Sequence, residues 1–571
     1  MSAVKGLFSG RIAVESLMPY PRMLDKDRAT LAMMVEAIDG FLTPQGADFK
    51  RWDRQGAQPP EFIQGLRDLG LFGLIIPEEF GGIGLSNAGY ARILSQTSRH
   101  DSSVSLTIGA HSSIGMKGLL LFGTADQKAR YLPRLASGEM IAAFCLTESG
   151  SGSDAASIRT HAERNPDGSW TLSGEKIWIT NGGIADLYTV FARTPAADGK
   201  ITAFIVEAAW PGVSHGRHED KMGIRASSTT TVNFDQVRVP PGNVLDEAGK
   251  GFKVAMAILN NGRTGLGGGA VGGMKALLAL ATAQAKERHQ FGHPIGEYDL
   301  IREKIAQMTL DCFAAESVVW MVAHYIDSGV EDYSTEAAIS KVFASEAMQR
   351  TAYEALQIAG GSGFMRDHPY EQAVRDSRIL TIFEGTNEVL RLYIALSGLK
   401  ELGRSFGDLR AAIDDIFNHP IKGFGVLGDY AEKRLTQATG IGRDRISTQT
   451  PPALRAASEI YERYTLELAK ACDFVLRRHG KAIADRQFEL KRIADLAIDL
   501  FVGLCVLSRA AGLVDEPAKA APAIAMANMF AEQAKRRMAG TIRRITRNED
   551  EAVRALAAYV LEQGGYPWDV I

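Results

Sequence analysis

The sequence predicts a mainly α protein with one central β domain: an N-terminal helical domain, a β-barrel, a four-helix bundle and a further all-helical domain at the C-terminus. Three observations carry this reading. Apolar residues recur at helical period through the first 140 residues and again from Gly251 onward. Between about 149 and 240 they alternate with polar residues at period two. A stretch rich in Gly, Thr, Gln and Pro at 440–452 sets off the last helical third. At 571 residues the chain exceeds one ordinary core, and the expected divisions are 1–143, 144–250, 251–405 and 406–571.

In chain order, 29–41 and 60–71 read as helices, with glycine and proline punctuation at 77–84. Strands are expected at 169–172, 176–180, 187–192, 201–206 and 229–239, parted by Asn-Pro-Asp-Gly, Asn-Gly-Gly and Pro-Gly turns. Long helices follow at 252–288, 299–329, 334–360 and 386–401, which suit a bundle. Four more are expected at 453–479, 485–513, 519–547 and 550–563.

Composition narrows the function. Lysine plus arginine (64) nearly balance aspartate plus glutamate (67), and a formal charge of −3 is not the footprint of a nucleic-acid binder. Cys145, Cys312, Cys472 and Cys505 stand singly, so neither a disulfide framework nor a metal site is expected. No apolar run reads as a membrane span; the nearest, 493–514, carries Asp495, Asp499 and Arg509. The first residues, MSAVKGLFSGRIAVESLMPYPRM, lack the pattern of a secretory signal or a transit peptide, and a cytoplasmic, prokaryotic protein is expected.

The strongest local signal is Ile382-Phe383-Glu384-Gly385-Thr386-Asn387-Glu388 ahead of a helix. One reading is a helix start capped by Thr386 or Asn387, with Glu384 a solvated acid. In the other, Glu384 faces an apolar pocket that raises its pKa into a general base's range, and Gly385 lets a ligand approach. Phe144-Cys145-Leu146-Thr147 runs into the loop Glu148-Ser149-Gly150-Ser151-Gly152-Ser153, whose small hydroxyls and bare amides suit a pyrophosphate or a flavin edge, or merely a connection. Trp178 and Thr180 end a strand, where the tryptophan either walls a flat ring or fills the barrel core. Further on come Asn260-Asn261-Gly262-Arg263, Arg288-His289-Gln290-Phe291-Gly292 and Gln357-Ile358-Ala359-Gly360-Gly361, each also explicable as a cap or surface element.

In this order and on this layout, the motifs resemble the acyl-CoA dehydrogenase family over about residues 50–400. Segments such as Arg486-Gln487-Phe488, Ala494-Asp495 and Leu507-Ser508-Arg509 resemble the added C-terminal helical domain of its very-long-chain branch. The resemblance implies that family's fold, with FAD between barrel and second bundle. It also implies dehydrogenation of long or very-long-chain acyl-CoA to trans-2-enoyl-CoA, the first step of fatty acid β-oxidation. An electron-transfer flavoprotein as acceptor and a homodimer are implied with it.

By the same resemblance, Phe144, Cys145, Leu146, Thr147, Ser153, Trp178 and Thr180 surround the flavin. Arg288, Phe291, Gln357, Gly360 and Gly361 hold the adenosine and pyrophosphate end across a subunit boundary, and Thr386, Asn387 and Glu388 also touch the cofactor. Glu384 takes the α-proton, while Ser153, Asn260, Asn261, Gly262, Arg263, Phe383 and Gly385 meet the substrate. Gly262 stands where some members of the family carry the base, so no rival carboxylate exists there. Gly115 and Gly118 are implied to keep an acyl channel deep, close helix packing being the other reading. Basic residues from Lys535 to Arg547, with the region near 430–480, are implied to help peripheral contact with an acidic membrane. An acyl-CoA oxidase and a non-catalytic flavoprotein of this fold, assembling or protecting a partner, are the alternatives; the retained Glu384 argues for catalysis.

Overall fold

The computed structural model describes residues 2–195, 199–415 and 445–570. The chain divides into two compact units, Pro21–Val389 and the pair Met1–Tyr20 with Leu390–Ile571. Part of the C-terminal domain expected at 406–571, namely 416–444, and the start of the region near 430–480 lie outside the described residues.

The first unit opens with helices whose ends are written in the sequence. Pro60 stands in the first turn of Pro60–Asp68. Thr124 and Gln127 form a reciprocal capping box at Ala125–Ala136. Helix α1 (Asn87–His100) is capped by the Ser86 hydroxyl, which accepts from the Gly89 amide at 3.0 Å.

The strands are β1 (Ala142–Cys145), β2 (His161–Arg164), β3 (Trp170–Thr180), β4 (Leu187–Thr194), β5 (Lys200–Glu207), β6 (Val213–His215), β7 (Thr229–Val239) and β8 (Val244–Leu245). They form one sheet in the order β6-β7-β3-β2-β4-β5-β8, with β1 parallel to β4. The expected barrel does not close. Its edges are β6 and β8, three and two residues long, and they do not pair with each other. Strands expected at 169–172 and 176–180 are one strand, β3, broken in register between Leu172 and Gly174 and between Lys176 and Ile179.

Strand β4 is buried on both faces, as a continuous apolar run implies. Tyr188 and Val190 join Trp170, Phe204 and Phe234 in one core. Leu187 and Phe191 face the other way, onto Leu132, Leu135, Val254 and Ile258 of the helices. Each such large side chain contributes about 1.5–3 kcal/mol of burial.

The bundle comprises α2 (Gly251–Glu287), α3 (Asp299–Asp327), α4 (Ser334–Ala359) and the start of α5 (Asn387–Asp415). Contrary to expectation, α2 and α3 are long and apolar enough to cross a membrane; half and 61% of their most apolar windows are buried, and both pack against α1 and α4 or each other. The sequence reading missed them because glycine dilutes the apolar run of α2. Those glycines serve packing: a Cβ at Gly268 would stand 2.5 Å from the Ala91 carbonyl oxygen of α1. Close approach of α1 and α2 offsets the roughly 1 kcal/mol that glycine costs inside a helix.

In the second unit α6 (Arg455–His479), α7 (Gln487–Gly512) and α8 (Pro517–Thr546) pack together, followed by Asp550–Gln563. The apolar face of α6, including Tyr461, Leu468 and Val475, is buried within the unit. Arg391 of α5 pairs with Asp495 of α7 at 2.7 Å.

Candidate active site

Glu384 lies on the short loop between Ile379–Thr381 and α5. Its backbone is left-handed, φ +58°, and Gly385 follows at φ +89°. For glutamate that conformation costs about 1–2 kcal/mol, so neighbours must hold it. Two buried cations do. Arg263 of α2 points Nε and Nη2 at the Glu384 carbonyl, 3.4 and 3.5 Å away, and its Nη1 donates to Asn260 Oδ1 at 2.6 Å. Lys341 of α4 donates to the Gly385 carbonyl at 2.8 Å and to Asn387 Oδ1 at 2.9 Å.

The Glu384 oxygen Oε2 is enclosed and has no hydrogen-bond partner. Burial pushes the carboxyl up to about 7, with Arg263 and Lys341 pulling the other way. A Cβ at Gly262 would lie 3.4 Å from Oε2, in contact with it, and 2.9 Å from the Ile114 side chain, so glycine there spares Ile114 a clash beside the carboxylate. An unpartnered carboxylate with a proton affinity near neutrality is equipped to remove a carbon-bound proton.

A second cluster surrounds β1 and the end of β3. Phe144 is half-buried against Phe191, with ring centroids 5.1 Å apart. The Cys145 side chain is wholly buried in the sheet core, where burial raises its thiol, so only its backbone is available to a ligand. Leu146 is buried; its carbonyl accepts from Lys176 Nζ at 3.0 Å, and the Thr147 carbonyl accepts from the Ile177 amide at 2.9 Å. Lys176 is itself fully buried and paired with Glu148 at 2.7 Å. Burial alone would raise Glu148, but Lys176 and the amides of Arg159 and Thr160 hold it below the ordinary carboxylate value. The pair fastens the loop after β1 to β3. Trp178 sits in the second bulge of β3 at φ +56° and is 64% exposed, which decides against the barrel-core reading. Thr180 ends the same strand, and Ser153 is exposed on the loop.

Arg288, Phe291, Gln357, Gly360 and Gly361 all lie on the surface of the unit. Phe291 projects from the hairpin of β9 (His289–Gln290) and β10 (His293–Pro294) and is 93% exposed. Thr386 caps α5, its hydroxyl accepting from the Val389 amide at 3.3 Å. Glu388 and Thr381 border a cleft of about 870 Å³ rich in charged side chains, among them Glu303, Asp311, Arg350 and Arg378. Phe383 is half-buried beside Glu384.

Several expected contacts turn inward. Asn387 is 2% exposed and spends its amide on Lys341, Ser345 and Glu346, leaving no side-chain group for a cofactor. Asn261 is buried and donates to the Tyr333 hydroxyl at 2.6 Å and the Ala257 carbonyl at 3.0 Å. A Cβ at Gly115 would meet the Ala142 carbonyl carbon at 2.7 Å, and one at Gly118 the side chains of Ile258 and Leu245 at 2.8 Å. Both glycines therefore serve close packing here, Gly115 in a π-helical turn rather than an α-helix.

Lys341 was missed altogether. Its signal was a lysine on the apolar face of a helical run, which demands a buried partner.

Models of the acyl-CoA dehydrogenase N-terminal, middle and C-terminal domains match residues 28–139, 143–237 and 249–399. The ACAD9/ACADV C-terminal domain matches 452–566. The human very long-chain specific acyl-CoA dehydrogenase, mitochondrial, is 45% identical over 521 residues, 90% of this chain and 79% of that protein. The chain belongs to the acyl-CoA dehydrogenase family. A Bacillus anthracis acyl-CoA dehydrogenase complexed with FAD superposes on 99% of this chain and 96% of its own, with TM-score 0.81 and 29% identity. Butyryl-CoA dehydrogenase from Megasphaera elsdenii matches 66% of this chain and 99% of its own at TM-score 0.63 and 37% identity.

Proposed function

We propose that the protein is a long or very-long-chain acyl-CoA dehydrogenase with Glu384 as its base. The observation that carries this is the Glu384 carboxyl, raised to about 7, with its Oε2 enclosed and without a hydrogen-bond partner, in a chain of this family. The residues present suit FAD: Trp178 offers an exposed ring face beside the Thr147 to Ser153 loop, and no atom stands within 4 Å of where a Cβ at Gly360 or Gly361 would be. Bound there, FAD supplies the acceptor for the hydride that leaves the β-carbon, so that two hydrogens depart and a trans-2-enoyl thioester remains.

The protein's own share is the α-proton. Glu384 takes it, and the Glu384 backbone N–H is the donor the thioester oxygen needs as charge develops there. Arg263 holds the Glu384 carbonyl and so fixes the next peptide unit, between Glu384 and Gly385, on the far side of the same residue. With Gly262 before it, no second carboxylate competes from α2.

The exposed Arg288, Phe291 and Gln357 to Gly361 fit a cofactor site completed by a second copy, and the active species is a homodimer. Electrons pass on to an electron-transfer flavoprotein. Exposed Arg536, Arg543 and Arg544 of α8, with Arg547 just after it, are the basis for contact between the C-terminal domain and an acidic membrane, the apolar face of α6 being already packed. Binding to anionic liposomes that survives deletion of 410–571 contradicts that contact.

Anaerobic addition of acyl-CoAs of graded length to the purified yellow protein tests the function. Loss of flavin absorbance with formation of the 2-enoyl thioester is expected for long chains; a yellow protein that bleaches with no length contradicts it.

A further inference from the structure

Helix α4 packs largely through small and apolar residues, yet Lys341 lies fully buried in it. Two hydrogens of its ammonium go to the loop that carries Glu384, one to the Gly385 carbonyl and one to Asn387 Oδ1. One turn on, Ser345 and Glu346 accept the two hydrogens of the same Asn387 amide, at 3.0 and 3.1 Å. The successive carbonyls of Glu384 and Gly385, the two residues with left-handed backbone, are thus each addressed by a different cation, Arg263 and Lys341.

We propose that Lys341 is a positioning residue for Glu384: by holding the Gly385 carbonyl and the Asn387 amide it fixes the left-handed turn that keeps the carboxylate beside Gly262. The inference rests on the reading of Glu384 as the base. A lysine is expensive to bury unless its hydrogens are all but spoken for, and here the loop takes them. The charged groups facing Lys341 are Glu384 on the loop, Arg263 of α2, Glu346 of α4 and Glu388 of α5. Burial pushes Lys341 down to about 7, with Glu384 opposing and Arg263 adding to the fall. Lys341 and Arg263 are in turn the two cations that pull Glu384 down, so removing Lys341 raises the proton affinity of Glu384.

The test uses Lys341→Met and Lys341→Arg in the flavin-loaded, full-length protein. Two quantities are followed against pH: the rate of anaerobic flavin bleaching by palmitoyl-CoA, and the infrared band of the protonated Glu384 carboxyl, assigned by its absence in Glu384→Gln. For Lys341→Met the rate falls at least about tenfold with KM little changed, and both titrations move up by about one pH unit. Lys341→Arg keeps the charge but not the fit, so its rate falls while its titration stays at the wild-type position. Wild-type rate and titration in Lys341→Met overturn the proposal and leave Glu384 as the base. A wild-type rate in Glu384→Gln overturns the base reading instead. Should Lys341→Met lose its flavin, the infrared titration of the flavin-free protein decides: an unmoved carboxyl overturns the proposal.

Discussion

The carboxylate oxygen Oε2 of Glu384 rests against the backbone of Gly262, where a Cβ would come within 3.4 Å of it. Base and glycine arrive from different elements, the loop before α5 and the middle of α2, so the fit is a tertiary one. Gly262→Ala is expected to press on Ile114, 2.9 Å from the added methyl, and through it to crowd the carboxylate, which the methyl would also touch. The rate of flavin bleaching by palmitoyl-CoA falls by about ten- to a hundredfold while the melting temperature changes little. An alanine variant with the wild-type rate would show that the carboxylate has slack at this point.

Lys176 and Glu148 form a buried pair that ties the loop after β1 to β3. Lys176→Met leaves Glu148 without its cation, and unfolding in urea is expected to show a loss of about 3–5 kcal/mol. Flavin content falls with it, because Trp178 and the Thr147 loop lose their common anchor. Adding Glu148→Gln recovers part of the stability. An unchanged urea midpoint in Lys176→Met contradicts this role.

Asp376 is buried beside Asp101, and burial pushes it up to about 8 and Asp101 to about 6. Its carboxylate accepts from the Ile224 amide at 2.5 Å, joining Tyr370–Arg378 to the segment before β7. Since the folded value of Asp376 lies above the unfolded one of about 4, the stability it contributes is complete below pH of about 4 and is lost as pH rises through 8. The melting temperature should therefore decline from pH 5 to 9. Asp376→Asn, which still accepts from Ile224, should flatten that decline. Parallel curves for the two proteins would mean that Asp376 is ionised throughout.

Long helices were legible in the sequence because the 3.6-residue period repeats many times; 334–360 was expected and Ser334–Ala359 is found. Strands β1, β2, β6 and β8 were not, since two to four residues are too few to show alternation. Trp178 was ambiguous for a related reason: its left-handed backbone at a bulge turns the side chain out of the strand's alternation. Glu384 was expected on a short loop ahead of a helix and lies on one, whereas Asn387 and Asn261 were expected to face ligands and face the protein. Which way a helix side chain faces, at the start of α5 or within α2, depends on what packs beside it, and nothing local encodes that. Failure of the barrel to close is likewise a property of edge strands too short to be seen.

The most direct measurement of the central claim is single-turnover bleaching of the flavin by palmitoyl-CoA in wild type and Glu384→Gln, across pH 5–9. With Glu384 as base and its carboxyl near 7, the wild-type rate rises with pH through about 7 as the carboxylate forms. Glu384→Gln, still yellow and still binding acyl-CoA, is slower by about a hundredfold to ten-thousandfold and shows no such limb. A glutamine variant that bleaches at the wild-type rate, with the same pH dependence, would contradict the assignment of the α-proton to Glu384.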